Sequence, residues 1–303
     1  MNAPALEQAL DDAYQVHRLH LAADPAALVA EVAPRIRALI TTGAHGVSTA
    51  LVAALPALEI IAVRGVGTDG VDLEQARARG VRVTITPDVL TEDVADLALA
   101  LLLATARRIC VSDTFARAGR WPGRNLPLAT RVSGKRVGIY GLGAIGKAIA
   151  RRAVGFGMPV AYTGRQPQPE QPYVYVPTLL ELARNSDVLF LAAASSAANQ
   201  GVVNADVLEA LGPAGILVNI GRGSLVDEDA LVAALVSGRL GGAGLDVFVN
   251  EPNIPEALMT LENVVLTPHQ GSATAECRKQ MGDLVLANLA AHFAGQPLPT
   301  PVA

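Results

Sequence analysis

Residues Lys135 to Ala150 run without interruption from a short apolar strand, through three glycines, into the start of a helix. The glycines are spaced Gly141-x-Gly143-x-x-Gly146. A tight strand-to-helix turn needs Gly141, close approach of a pyrophosphate needs Gly143 without a Cβ, and close packing of helix on strand needs Gly146. The helix start adds free N–H groups and the positive end of its dipole. The run Gly141, Leu142, Gly143, Ala144, Ile145, Gly146 therefore reads as a dinucleotide-binding loop, which commits the chain to parallel α/β construction.

The residues after the loop indicate which dinucleotide. Sites that hold a free ribose 2′-hydroxyl close the second strand with an acid about 20 residues after the glycines. Here the strand Met158 to Tyr162 is followed by Thr163, Gly164 and Arg165. A carboxylate would repel a 2′-phosphate, whereas a guanidinium pairs with one through a planar fork of donors. NADP(H) is the expected cofactor, although an exposed Arg165 also fits an ordinary solvated loop.

Short β-branched runs alternate with Ala/Leu-rich stretches up to about residue 270, as in repeated βαβ units. Strands are expected at 35–41, 58–63, 81–86, 136–140, 160–163, 188–192, 215–220, 242–247 and 264–266. Helices are expected at 48–55, 71–79, 91–108 and 273–294, the last stopped by the prolines of 295–301. With 303 residues, 51% of them apolar, the chain exceeds one core. Two parallel-sheet domains with a cleft between them are expected, Rossmann-like or flavodoxin-like: 1–95 with 284–303 for substrate, and 96–283 for NADP(H).

A net charge of −4 and few aromatics argue against a nucleic acid or an anionic membrane as partner. The apolar run 97–106 is half of a membrane span. The N-terminus lacks signal-peptide and transit patterns, and Cys110 and Cys277 have no metal-ligand spacing, so the cytoplasm is the expected compartment and no metal is expected.

A second run, Gly65-x-Gly67-x-x-Gly70, also follows a strand. The helix after it is brief and no ribose signal follows, which leaves two readings: an anion-binding nest of backbone N–H groups, or a tight turn needing glycines for conformation alone. Three later strands end in polar residues and bring Arg222, Glu251 and His269 to strand ends, where ligands of open parallel sheets bind. A guanidinium beside an imidazole–carboxylate pair suits a 2-oxo acid: the first holds the carboxylate and polarises the carbonyl, the second gives a proton. Each of the three taken singly also fits a plain loop residue.

Together, Gly65 to Asp72, Thr86 to Ala98, the Gly141 loop, Asn219 to Gly223, Leu245 to Phe248 with Glu251 and Pro252, and Thr267 to Ser272 resemble the D-isomer-specific 2-hydroxyacid dehydrogenase family, in its glyoxylate/hydroxypyruvate reductase branch. The resemblance runs from about residue 40 to the end. It implies Arg222, Glu251 and His269 as the catalytic set, with His269 the proton donor. It implies that the Val66 and Gly67 amides, with Arg222 and His269, bind substrate, and that Ile220, Asp246 and Gly271 contact the cofactor. It also implies a homodimer in which a helical Trp121–Pro122 region reaches the partner.

Two departures stand out. The turn Ala193 to Asn199 lacks the usual Pro-Leu-Thr element, so the only cofactor contact carried over to it is the hydroxyl of Ser196. Ala144 stands where relatives often have Arg, a loss of charge that either weakens cofactor binding or shifts the phosphate contact toward Arg165 and Lys147. The expected reaction is NADPH-dependent reduction of glyoxylate or hydroxypyruvate. An NAD-dependent D-2-hydroxyacid dehydrogenase and a non-catalytic dinucleotide-sensing protein are the alternatives. Arg64, Trp121 and Met281 are candidates for side-chain selectivity, and an aromatic 2-oxo acid remains open as substrate.

Overall fold

The structure, a computed structural model, describes residues 4–43 and 45–302. It divides into two compact units, one running up to Leu90 and resuming at Ala273, the other spanning Thr91–Ser272. The sequence places these divisions later, at 95/96 and 283/284. Both observed divisions fall next to a helix start, Thr91 and Ala275, so each helix stays whole within one unit.

The first unit carries a parallel three-stranded sheet, β1 (Ala38–Thr42), β2 (Ile60–Arg64) and β3 (Arg82–Thr84), in the order β1-β2-β3. All five residues of β2 are buried, as expected of a central parallel strand. On one face Ile61 and Val63 pack with Val52, Leu55 and Ala76; on the other, Ile60 and Ala62 meet Leu6, Leu10, Val285 and Leu289. Those last four belong to the helices Pro4–Ala13 and Ala275–Phe293.

The prolines do not end the last helix. Gly295 does, at φ +66°, with its N–H on His292 O and that of Gln296 on Ala291 O, a Schellman ending. The tail then returns along β3: Ile85 N–H donates to Thr300 O, and Val302 N–H to Val83 O. Asn288 fastens it by donating to Thr300 Oγ1 at 2.8 Å and accepting the Thr300 N–H at 3.2 Å.

The second unit is a seven-stranded parallel sheet: β4 (Val137–Tyr140), β5 (Val160–Thr163), β6 (Val174–Tyr175), β7 (Val188–Leu191), β8 (Ile216–Asn219), β9 (Gly242–Leu245) and β10 (Val264–Leu266). Its order is β10-β9-β8-β7-β4-β5-β6. The chain starts in the middle at β4, builds outward to β6, then restarts on the other side at β7. Order reversal between β4 and β7 makes that pair the topological switch point, where such sheets bind ligands. The glycines of β9 admit a helix: a Cβ at 242 would lie 2.8 Å from Thr105 Cγ2 and one at 244 would lie 2.9 Å from Leu101 Cβ. Both neighbours are on the helix Thr91–Ala106.

Two further expectations need correction. The helix expected over 91–108 breaks at Arg108, which has φ 52°, and a second helix, Ile109–Arg117, follows. Trp121 and Pro122 lie beyond it and outside any helix, since Gly119, at φ +66°, has already turned the chain. The two-residue β6 and the helix Pro4–Ala13 are elements that the sequence reading omits. No described helix is long and apolar enough to cross a membrane.

Candidate active site

The Gly141 loop leaves β4 at the switch point. Gly141 has φ +96°, and its N–H donates to Thr163 O at 2.9 Å, tying the loop to the end of β5. A Cβ at 141 would lie 2.7 Å from Ala193 Cα, so the chain leaving β7 presses on the same point. At 146 a Cβ would collide with the Gly141 carbonyl oxygen, whereas at 143 nothing lies within 4 Å. The first and third glycines are thus required by packing, and the second leaves open space. The helix Ala144–Gly155 begins there with no side-chain cap, so the N–H groups of its first turn point free. These features fit a dinucleotide pyrophosphate.

At the end of β5, Thr163 is buried, while Arg165 is exposed and forms no ion pair or hydrogen bond among the described residues. Gln168 donates to Leu142 O at 2.9 Å, bracing the glycine loop against the chain after Arg165. Lys147 stands 3.9 Å from Glu170. Ser196 is committed elsewhere: its hydroxyl and N–H lie 3.1 and 2.7 Å from Asn199 Oδ1 in a small capping box.

The three catalytic candidates are brought together by backbone contacts. Asn219, at the end of β8, accepts the Gly221 N–H at 3.1 Å and donates to Arg222 O at 2.9 Å, shaping the turn that presents Arg222. Arg222 Nη1 donates to Gly221 O at 2.7 Å. A Cβ at Gly223 would overlap the Phe248 carbonyl, so only glycine lets this turn lie on the segment after β9. That segment folds back on itself, the Phe248 N–H donating to Glu251 Oε1 at 3.1 Å. Glu251 Oε2 then lies 2.7 Å from His269 Nδ1, with the two side chains 28% and 38% exposed.

Burial works against ionisation of Glu251, but the His269 bond, the Phe248 N–H and the charges of His269 and Arg222 outweigh it and hold the carboxyl below its ordinary range. A persistent carboxylate fixes which imidazole nitrogen faces it and leaves Nε2 for other work.

Asp246 does more than the sequence assigns to it. The side chain is buried, and both oxygens are used: Oδ1 accepts Thr267 Oγ1–H at 2.6 Å and the Gln270 N–H at 2.7 Å, and Oδ2 accepts the Gly271 N–H at 2.8 Å. Its carbonyl takes the His269 N–H at 2.9 Å. This one residue clamps the loop 267–271 and holds His269 at φ 53°, a conformation uncommon outside glycine. Burial pushes its carboxyl up, against the pull of those three bonds. Thr267 is a partner that sequence reasoning missed. Gly271 belongs to the clamp through its N–H, and a Cβ there would lie 3.2 Å from Asp246 Oδ2. Ile220, 6% exposed, follows β8 directly.

Val66 and Gly67 belong to the first unit. Their turn is shaped by close backbone approach: a Cβ at Gly43 would lie 2.9 Å from Gly67 O, and one at Gly70 would lie 2.6 Å from Gly46 Cα. Among the described residues no acceptor takes the Val66 or Gly67 N–H. Cys110 is exposed and Cys277 is buried, with its Sγ 3.5 Å from Met281 Sδ, and neither is in a disulfide.

Residues 99–271 match the family described as D-isomer specific 2-hydroxyacid dehydrogenase, NAD binding domain. The chain belongs to this family. It is 51% identical to a hydroxyphenylpyruvate reductase of Plectranthus scutellarioides over 297 residues, 98% of this chain and 95% of that protein. It is 48% identical to a glyoxylate/hydroxypyruvate reductase of Arabidopsis thaliana, again covering 98% and 95%. Among solved structures, an NADPH-dependent glyoxylate/hydroxypyruvate reductase from Sinorhizobium meliloti, in complex with NADP and malonate, superposes with a TM-score of 0.91 at 44% identity, covering 99% of this chain and 93% of that one. The two-domain Rossmann architecture of these enzymes is the architecture seen here.

Proposed function

We propose that the chain is an NADPH-dependent reductase that converts a small 2-oxo acid, glyoxylate or hydroxypyruvate, to the 2-hydroxy acid. The 2.7 Å pair of His269 Nδ1 and Glu251 Oε2, with the Arg222 charge acting on the same carboxylate, carries the reading. NADPH, when bound, would supply the hydride. Reduction of the carbonyl also needs one proton for the nascent alkoxide, and His269 gives it from Nε2 while Glu251 stabilises the imidazolium. Arg222 pairs with the substrate carboxylate and polarises the carbonyl oxygen through its fork of donors. The Val66 and Gly67 amides supply further donors for an anion.

The cofactor is held by the N–H groups of the Gly141–Gly146 loop and the first turn after it, with Ile220 and the Asp246-braced loop beside it. The unpaired Arg165 takes the 2′-phosphate. Trp121 and Leu128 are 72% and 98% exposed, apolar surface that supports a homodimer, and two cysteines outside any disulfide support a cytoplasmic location. The test is oxidation of NADPH and of NADH against a panel of 2-oxo acids. Turnover with glyoxylate or hydroxypyruvate at higher kcat/KM for NADPH supports the proposal, and no turnover of any 2-oxo acid overturns it.

A further inference from the structure

Arg64, the last residue of β2, is 6% exposed, and its Nε and Nη1 are enclosed with no hydrogen-bond partner. Among the described residues it forms no ion pair. Arginine keeps its charge inside a protein, so it cannot escape this cost by losing a proton, and buried charges are otherwise found paired. By the two-residue alternation of a strand, Arg64 is on the face of Ile60 and Ala62, against the helices Pro4–Ala13 and Ala275–Phe293. The charges that reach it from those helices are Arg278, half-buried in the first turns of the longer helix, and Glu7. Burial and then Arg278 act against the Arg64 charge, and the opposing influence of Glu7 is the smallest of the three. Arg64 thus stands at the carboxyl end of a parallel strand as a buried guanidinium without a partner, and Arg278 is the other cation whose charge bears on it, with little negative charge to offset either.

We propose that Arg64 and Arg278 form a second anion subsite, which takes a remote carboxylate or phosphate carried by the 2-oxo acid. The inference rests on the reductase reading and extends it to substrate class. Arg64 is two residues before Val66, so their Cα atoms are at most about 7 Å apart. A four- or five-carbon diacid, held by one carboxylate at the Val66–Gly67 amides, is long enough to bring its second acid to the arginines. Planar bidentate recognition of such a group is the use for which arginine is suited, and a site built around a charged partner discriminates against substrates that lack it.

Thermal melting of the full chain reads the subsite without turnover. Succinate should raise the melting temperature of the wild type beyond the effect of propionate, which has one carboxylate. The excess should vanish in Arg64→Met and in Arg278→Gln, and return in part in Arg64→Lys. A larger excess from inorganic phosphate than from succinate assigns the subsite to a phosphate group, and the reverse to a carboxylate. In turnover, the kcat/KM for 2-oxoglutarate relative to 2-oxopentanoate should fall about ten- to a hundredfold in Arg64→Met, through KM. Equal succinate and propionate shifts in wild type and variants overturn the proposal. So does a ligand-free Arg64→Met that melts below wild type, since the guanidinium would then be structural. If no 2-oxo acid turns over while the succinate excess is present, the reductase reading fails and the subsite stands.

Discussion

The first unit and the second each contain a Gly-x-Gly-x-x-Gly turn after a buried parallel strand, and the two turns solve different problems. In the second unit the third glycine, Gly146, lets a helix of twelve residues start against the Gly141 carbonyl, and that helix has no side-chain cap. In the first, Gly70 closes on Gly46 of the neighbouring loop, and the following helix, Leu73–Ala78, is six residues long and already capped by Asp72, whose side chain accepts the Gln75 N–H. One turn keeps its helix N–H groups for a ligand, and the other has given them away. Spacing alone does not distinguish a loop that offers a ligand the start of a helix from one that offers only the amides of its turn; what starts the helix does.

If the comparison holds, the chemistry resides in the second unit, and the largest effect is at its acid. His269→Ala should lower kcat by about a hundredfold to ten-thousandfold, with NADPH binding, followed by quenching of protein fluorescence, kept. A variant of near-normal kcat would remove His269 from proton transfer.

The glycines test the comparison directly. Gly146→Ala forces a Cβ against Gly141 O, and overpacking of that kind costs about 1–3 kcal/mol. The strain falls on the loop that holds the dinucleotide, so NADPH affinity should drop about ten- to a hundredfold. Gly70→Ala is equally crowded, by Gly46, and should lower the melting temperature while leaving NADPH affinity in place. Equal losses of NADPH affinity in the two variants would erase the distinction.

Arg165 comes next. Loss of one charge-assisted contact costs about 1.5–3 kcal/mol, so Arg165→Ala should raise the NADPH KM about ten- to a hundredfold and barely move that of NADH. Equal changes for both cofactors would show a role other than reading the 2′-phosphate.

Most of the parallel framework was legible in the residues because buried strands and glycine turns are local patterns. The strand expected at 160–163 is β5, and that at 264–266 is β10. The omissions are contacts made at a distance. Pro4–Ala13 is placed by Leu6 against Gly282, and the tail by Asn288 and Thr300, pairs that no short-range pattern displays. Arg222, Glu251 and His269 were legible as polar residues at strand ends. The role of Asp246 was not, because an aspartate at a strand end looks alike whether it faces a ligand or folds both oxygens onto a loop more than twenty residues later.

The smallest expected effect concerns pH. The Glu251 carboxyl is held below its ordinary range, so in the native site it stays ionised until the pH falls beneath that range. The pair with His269 therefore survives mild acid and is lost only as pH drops through that depressed value. Glu251→Gln removes the carboxylate while keeping a side chain of similar shape, so the acid limb that follows loss of the Glu251 charge should disappear from the kcat/KM profile for reduction, and the plateau above it should fall. A pH–rate profile for substrate-limited reduction that superposes on wild type would separate His269 from Glu251 and leave their 2.7 Å contact a structural one.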